Sequence, residues 1–436
     1  MRYRVDGSWQ RFAGVVLAGS PLRLFRLTPG GAAVADHIEA NDDVDDSVLT
    51  DRLSDAGAIH PLHTVDRQPQ FTLDDVTVVT PQLGGTVHDD GRLTVDDGSI
   101  PPLPGAAVRL TANRGPAAAR NAARPLITTL LVAFLDADVT TPDSSWLAEL
   151  LWHFDDPRVG LVAPRVVGES GSPLDLGDLP ARVRAGTRVS YVPAAALVVR
   201  VDALDAVGGF DERLRFGEDV DLVWRLDDAG WRCRYDPSAA VWHEPRAAWC
   251  DRLRQHAGYG TSAAALAMRH PRSLSPVNVN AWTAATWALA LLGRWVPAVA
   301  LGAGSSAALV RKLPDVPPRS AMWLAVRGHL LAGQQFASAA RRVWWPILAV
   351  GALISHRCRW LLLLALASDV KAAPTDLAYG WGVWSGMRRR RTWAPIIPRL
   401  SSWPGRQLAA SGIRPSRPNS TGHVNRTVGL DNSQRR

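Results

Sequence analysis

Residues 130–135 read LLVAFL and stop abruptly at Asp136-Ala137-Asp138. No other junction constrains the chain as much. A short, unbroken apolar run fits a strand covered on both faces, and such strands belong to sheets flanked by helices. Two further apolar runs, 76–79 and 93–95, carry the same signal, and the second ends in Asp96-Asp97-Gly98-Ser99. Helical stretches alternate with these runs, so residues 75–245 read as an α/β unit. Ligands of open α/β sheets bind beyond the carboxyl ends of the strands. Separate segments therefore aim acidic groups at one cleft.

The residue types at those tips suggest the chemistry. Asp136 and Asp138 stand at i and i+2, so their side chains point the same way from an extended tip. Such a pair suits a hard divalent cation, Mn2+ or Mg2+, that keeps waters and also ligates phosphate oxygens. A solvated acidic turn is the plainer alternative. Asp96 and Asp97 suit hydrogen bonds to the base or ribose of a nucleotide, with Gly98 permitting the turn. Arg114, Arg120 and Asn121 lie at and after a helix start marked by Pro116, where a diphosphate is favoured. In the cluster Gly217-Glu218-Asp219, Asp219 opens a helix expected over 219–229 and is available as a general base. Glu218 and Asp219 also fit N-terminal capping, and the two roles are compatible. Asp221 reads as structural. His243, in AVWHE after a strand at 233–235, is a candidate third metal ligand.

Taken together, these pieces resemble glycosyltransferase family 2, whose members have the GT-A fold. The resemblance rests on VDDGS at 95–99, NRGPAAARN at 113–121, FLDADV at 134–139, GGFDE at 208–212, GEDVDLVWRL at 217–226 and VWH at 241–243. Further likeness to one branch is carried by SPLRLFRLTPGG at 20–31, DPRVGLVAPRV at 156–166, SYVPAAALVVR at 190–200 and YGTSAA at 259–264. The resemblance implies a hexosyltransferase that moves glucose from UDP-glucose with inversion. The implied acceptor is a peptide-derived redox cofactor precursor, elongated as a β-1,4-glucan. It also implies roles: Asp136 and Asp138 in the metal and nucleotide motif, Asp97 as the nucleotide-binding acid, Asp219 as base and His243 as metal ligand. Two other readings stand beside this one. They are transfer of another sugar to a cell-wall glycan, and a catalytically impaired protein that only binds the precursor.

One departure from the family pattern is plain. Only about 15 residues separate Val79 from Val95, where a long helix is the rule for parallel strands. The shortening predicts a distorted nucleotide pocket or a different pairing of this strand.

The remaining sequence sets the domain plan. Residues 1–70 show a hairpin over 14–27, a helix over 30–40 capped by Thr28-Pro29 and a second helix over 48–56 stopped at Gly57. That order suggests a small winged-helix-like module. The GT-A unit then spans 71–270, a hydrophobic helical region 271–400 and a disordered tail 401–436. Two apolar stretches, 281–304 and 344–367, are long enough to approach a bilayer span. They carry Arg294, His356, Arg357 and Arg359, so interfacial or packing helices are expected instead. The run Arg388–Arg391, between Trp384 and Trp393, fits an anionic membrane surface. Net charge is +8, nearly all from Arg, with Lys only at 312 and 371. A sheet-borne aromatic-basic motif for nucleic acid is absent. Cys233, Cys250 and Cys358 have no CxxC spacing, and the N-terminus shows no signal peptide. A cytoplasmic enzyme at the inner face of the plasma membrane is the expected setting.

Overall fold

The computed structural model describes residues 1–401 except 65–67, 88–89, 142–143, 169–171, 173, 244–247 and 272. The chain opens with β1 (Tyr3–Val5), β2 (Gln10–Phe12), β3 (Val15–Ala18), β4 (Arg23–Arg26), α1 (Pro29–Glu39), α2 (Val48–Asp55) and β5 (Ile59–Pro61). The expected hairpin is β3–β4, and β2 adds a third antiparallel strand. Thr28 caps α1 by accepting from the Gly31 amide, with Pro29 in the first turn, where its missing N–H costs nothing. Ser47 and Thr50 close a reciprocal cap on α2. Tyr3, Val16, Phe25, Ile38, Leu53 and Ile59 form an apolar cluster of their own here.

A larger α/β section follows: β6 (Val76–Gln82), β7 (Leu93–Asp96), β8 (Val108–Arg109), α3 (Pro116–Ala122), β9 (Leu131–Leu135), β10 (Val139–Thr140), α4 (Ser145–Leu151), β11 (Val159–Val167), β12 (Ala181–Val183), β13 (Ala196–Arg200), α5 (Val201–Ala206), α6 (Glu218–Asp228) and β14 (Arg232–His243). Its sheet runs β10-β14-β11-β13-β9-β6-β7-β8, with β12 on β14. All five residues of β9 are buried. Val132 and Phe134 enter the apolar cluster on one face, and Leu131, Ala133 and Leu135 that on the other. This is the period-2 division of a central strand. β13 is antiparallel to both β9 and β11, and β11 is parallel to β14. The ends of β7, β9 and β14 therefore emerge at the same edge of the sheet.

The shortened first crossover does not change the strand pairing. β6 and β7 pair in parallel, Val79 opposite Leu93 and Gln82 opposite Asp96. Among the described residues the connection 83–92 contains no helix. Ten extended residues reach up to about 35 Å, ample to return beside a short strand. Gln82 and Ser99 fasten the loop: the Gln82 amide donates to the Gly84 and Thr86 carbonyls, and the Gly84 amide donates to the Ser99 hydroxyl at 2.8 Å.

The N-terminal elements meet the opposite edge of the sheet, where β11 and β14 begin. Arg158 pairs with Asp51 at 2.6 Å, and the buried Arg232 reaches Asp55 at 2.7 Å and Asp156 at 2.9 Å. Burial alone raises the Asp156 carboxyl, yet Arg234 and Arg232 overcome it and hold it down at about 2. A carboxylate depressed in the folded state stabilises fully above its unfolded value near 3.9 and loses that contribution as pH falls toward 2. The contribution is about 2 kcal/mol. Asp156→Asn is expected to lower the urea midpoint at pH 7 and to flatten the loss of stability between pH 4 and 2. An unchanged acid limb would show that this junction does not govern it.

The remaining elements are α7 (Trp249–Arg269), β15 (Asn278–Asn280), α8 (Ala281–Leu291), α9 (Trp295–Lys312), α10 (Pro318–Ala339), a π-helical turn Ala340–Trp344, α11 (Trp345–Ile354), α12 (His356–Ala367), α13 (Ala373–Arg390) and β16 (Arg399–Ser401). α7 and α13 cross at close range because Gly260 and Gly382 face each other. A Cβ on Gly382 would overlap the Ala257 carbonyl, and one on Gly260 the Tyr379 carbonyl. The two long apolar stretches are each broken, at Gly293 with φ 76° and at the extended Ser355. No helix among the described residues is long and apolar enough to cross a membrane. Ser401, the first residue of the expected tail, ends β16, which pairs with β15; the rest of that tail, 402–436, lies outside the described residues.

Candidate active site

Asp136 follows the last residue of β9, and its amide donates to the Ala195 carbonyl at 2.9 Å. Its carboxylate accepts from Arg120 at 2.7 Å. The other guanidinium nitrogen of Arg120 donates to Glu218 at 3.0 Å, and the cation lies 5.2 Å from the centre of the Phe210 ring. Arg120 is only 2% exposed. One buried cation thus ties α3, the β9 tip and the start of α6 together. Burial raises the Asp136 carboxyl, Arg120 opposes that shift, and Asp138 adds to it.

The metal candidates meet through strand pairing. β10 runs antiparallel to β14 with Val139 opposite His243. Asp138 therefore comes within 3.4 Å of the His243 Nε2. The sequence had placed His243 after a short strand, whereas β14 continues unbroken to it. Asp138 raises the His243 imidazole, against the effect of its burial. Its buried Nδ1 has no hydrogen-bond partner among the described residues. A separation near 3 Å between a carboxylate oxygen and an imidazole nitrogen matches neighbouring ligands on one small cation. Among the described residues no three His, Cys, Asp or Glu side chains close into a metal cage. This half-built set fits a divalent ion whose other positions go to water and diphosphate oxygens.

Asp219 is the second residue of α6, after Gly217 in the left-handed region at φ 76°. Its carboxylate accepts from the Val220 amide at 2.8 Å. Desolvation and then the neighbouring Glu218 push its carboxyl up to about 7. Nothing in the sequence signals this shift, so it is a property that the fold adds. The Tyr191 phenol lies close enough for the Asp219 charge to help raise it, after desolvation. Sequence reasoning gave Tyr191 no role.

The positions expected to contact nucleotide divide into two groups. Arg114 is exposed at the cleft and pairs with Glu212 at 2.5 Å. Asp97 accepts from the Arg114 and Gly115 amides at 2.7 and 2.9 Å, which sets the start of α3. Three others also make contacts inside the protein. Asp96 is fully buried and accepts from the Ser99 and Leu103 amides, shaping the loop after β7. Asn121 holds Phe210 by both its amide and its carbonyl and so fixes the GGFDE loop. The Arg120 guanidinium pairs with Asp136 and Glu218. Asp221 is structural as expected, fully buried among Arg225, Arg269 and His270.

Comparison with known proteins adds to this geometry. The sequence pattern of the family described as "Glycosyltransferase like family 2" matches residues 97–259. Pre-mycofactocin glycosyltransferase of Mycobacterium tuberculosis is 36% identical over 463 aligned residues, covering 92% of this chain and 96% of that protein. Succinoglycan biosynthesis protein ExoA of Rhizobium meliloti is 28% identical over 164 residues, 36% of this chain and 43% of that one. A solved mannosyltransferase from Pyrobaculum calidifontis, in complex with GDP-Man and Mn2+, shares 17% identity and a TM-score of 0.41 over 76% of this chain and 91% of its own.

Proposed function

The chain belongs to glycosyltransferase family 2 and is a hexosyltransferase of GT-A fold; from that premise we propose that it transfers glucose from UDP-glucose, with inversion, to a pre-mycofactocin acceptor. The product is a β-1,4-glucan on a peptide-derived redox cofactor precursor. The observation that carries the proposal is the likeness to pre-mycofactocin glycosyltransferase along nearly the whole chain. The site geometry agrees with it. Asp219 supplies a carboxylate whose raised value suits general base work near neutrality. It takes the proton of an acceptor hydroxyl as that oxygen attacks the anomeric carbon and the bond to UDP breaks on the opposite side. Asp138 and His243 are the residues to hold Mn2+ or Mg2+, which would offset charge on the departing diphosphate. Asp97 sets the Arg114 backbone beside the nucleotide, and Arg114 reaches the cleft. Arg120 and Asn121 position Asp136 and the 208–212 loop.

We also assign residues 1–70 to a winged-helix-like module, 71–270 to the transferase unit and 271–400 to a helical extension, with the enzyme in the cytoplasm. The ion pairs of Asp51 and Asp55 put the first module at the sheet edge remote from Asp136 and Asp138. A precursor peptide held there would approach the cleft from outside it.

Incubation with UDP-glucose and pre-mycofactocin, with and without Mn2+, tests the reading by mass analysis of the product. Glucosylation dependent on metal is expected. UDP-glucose left intact with every acceptor would overturn it, and transfer only to a cell-wall glycan would replace the acceptor. His243→Ala is expected to raise the Mn2+ concentration for half-maximal activity about tenfold or more. An unaltered Mn2+ titration would remove His243 from the metal site.

A further inference from the structure

We propose that the C-terminal helices dock this enzyme on an anionic lipid bilayer without crossing it. On this proposal the α11–α12 hairpin enters the interface, and a Trp-Arg pocket at the end of α13 takes a headgroup phosphate. The inference does not depend on the sugar or acceptor, and its test does not read transfer.

The hairpin has the wrong surface for water. α11 reads WPILAVGALI and has no buried residue, and in α12 only Ala365 is buried. At the tip Leu353 is 77% and Ile354 is 91% exposed. Trp360, Leu363 and Leu364 extend the apolar surface along α12. An uncovered apolar patch of this extent marks an interaction site. Neither helix is long enough to span a bilayer, so lying in the interface is the geometry left to them.

Charge decides what covers the patch. Residues 281–400 carry fifteen Arg and Lys against three Asp and no Glu, more than the net charge of the whole chain. Two copies meeting face to face would repel strongly. A nucleic acid would satisfy the cations but leave Leu353 and Ile354 in water. An anionic bilayer satisfies both.

The pocket supplies a place for the charged group. It encloses about 520 Å³ and is lined in part by Trp381, Trp384, Arg388, Arg391 and Trp393. Trp384 and Trp393 meet edge to face at 6.0 Å, while Trp381 and Trp393 remain well exposed. Tryptophan beside arginine is the pairing of a membrane-water interface. Pocket and hairpin share one anchor. The Trp384 indole donates to the Val343 carbonyl and the Trp344 indole to the Ile396 carbonyl, and α11 leaves directly from that turn.

The test is co-sedimentation of the full-length protein with vesicles of phosphatidylglycerol and phosphatidylcholine, or of phosphatidylcholine alone. Partition onto the anionic vesicles is expected to be about tenfold stronger and to fall as salt rises. Leu353→Glu with Ile354→Glu, and separately Arg388→Gln with Arg391→Gln, are each expected to weaken it severalfold. These residues lie outside the α/β section, and an unchanged urea midpoint shows that the variants fold. Equal binding to both vesicles, no binding, or binding that neither variant alters overturns the proposal. So does a dimer seen by light scattering that the Leu353 and Ile354 variant dissolves, which would make a second copy the occupant.

Discussion

Asp219→Asn is expected to lower kcat by about 10²- to 10⁴-fold while leaving UDP binding intact. The change is nearly isosteric and removes the proton acceptor. The Asn side-chain oxygen can still accept from the Val220 amide, so that contact in the first turn of α6 is kept. The pH profile supplies a second reading. Desolvation and Glu218 raise the carboxyl to about 7, so below that value Asp219 is protonated and cannot act as a base. Activity should rise with pH through about 7 and then level, and that limb should be missing from the residual activity of the variant. UDP binding in the presence of Mn2+, followed by calorimetry, should change little. Normal turnover by the variant would remove Asp219 from the mechanism, and lost UDP binding would make it a donor-site residue instead.

How far the site could be read in advance differed by residue, for physical reasons. The β9 tip was legible because a strand covered on both faces shows as an unbroken apolar run, and the acidic pair had to follow it. Asp219 was legible as an acidic group at a helix start, because Gly217-Glu218-Asp219 marks one, but that pattern fits N-terminal capping as well as general base work. β1, β2 and β5 escaped because each has three residues and mixed burial, too short for a period to show. The parallel pairing of β6 with β7 escaped because a crossover without a helix violates the usual length rule, and what fixes it, Gln82 bonded within the loop and Ser99 bonded to Gly84, are side-chain contacts that no periodicity shows. The buried ion pairs of Arg120 escaped for a different reason. An arginine on a seven-residue alanine-rich helix looks like solvent-facing charge. Yet Ala117, Ala118 and Ala119 are all buried, so α3 has little exposed face left to carry it. The alanines held that signal, since a run of small residues lets a helix sink into the protein. The raised value of Asp219 had no signal at all in the sequence, because it depends on solvent excluded by distant segments.

Replacing Arg120 with Leu is expected to cost stability on the scale of about 3–5 kcal/mol, as for other buried ion pairs broken from one side. Arg120 is almost wholly enclosed, and its two carboxylate partners come from α6 and the β9 tip. Without the guanidinium, Asp136 and Glu218 face each other with no cation between them. The carboxyl of Asp136 is already raised, and losing Arg120 removes what holds that rise in check. The sign of the pH response follows. With folded-state values above the unfolded ones, the folded variant binds more protons, so its stability grows as pH falls toward the folded values. That is opposite to the acid response expected around Asp156. Arg120→Lys keeps one charge but cannot fork to two partners, and should fall between the two. Urea unfolding at pH 8 and pH 5 measures all of this. A loss below about 1 kcal/mol in the Leu variant, or one that deepens on acidification, would show that the bridge is not what holds these segments together. If the loss appears and partial recovery comes with acid, the acidic group at the β9 tip owes its position to this buried cation.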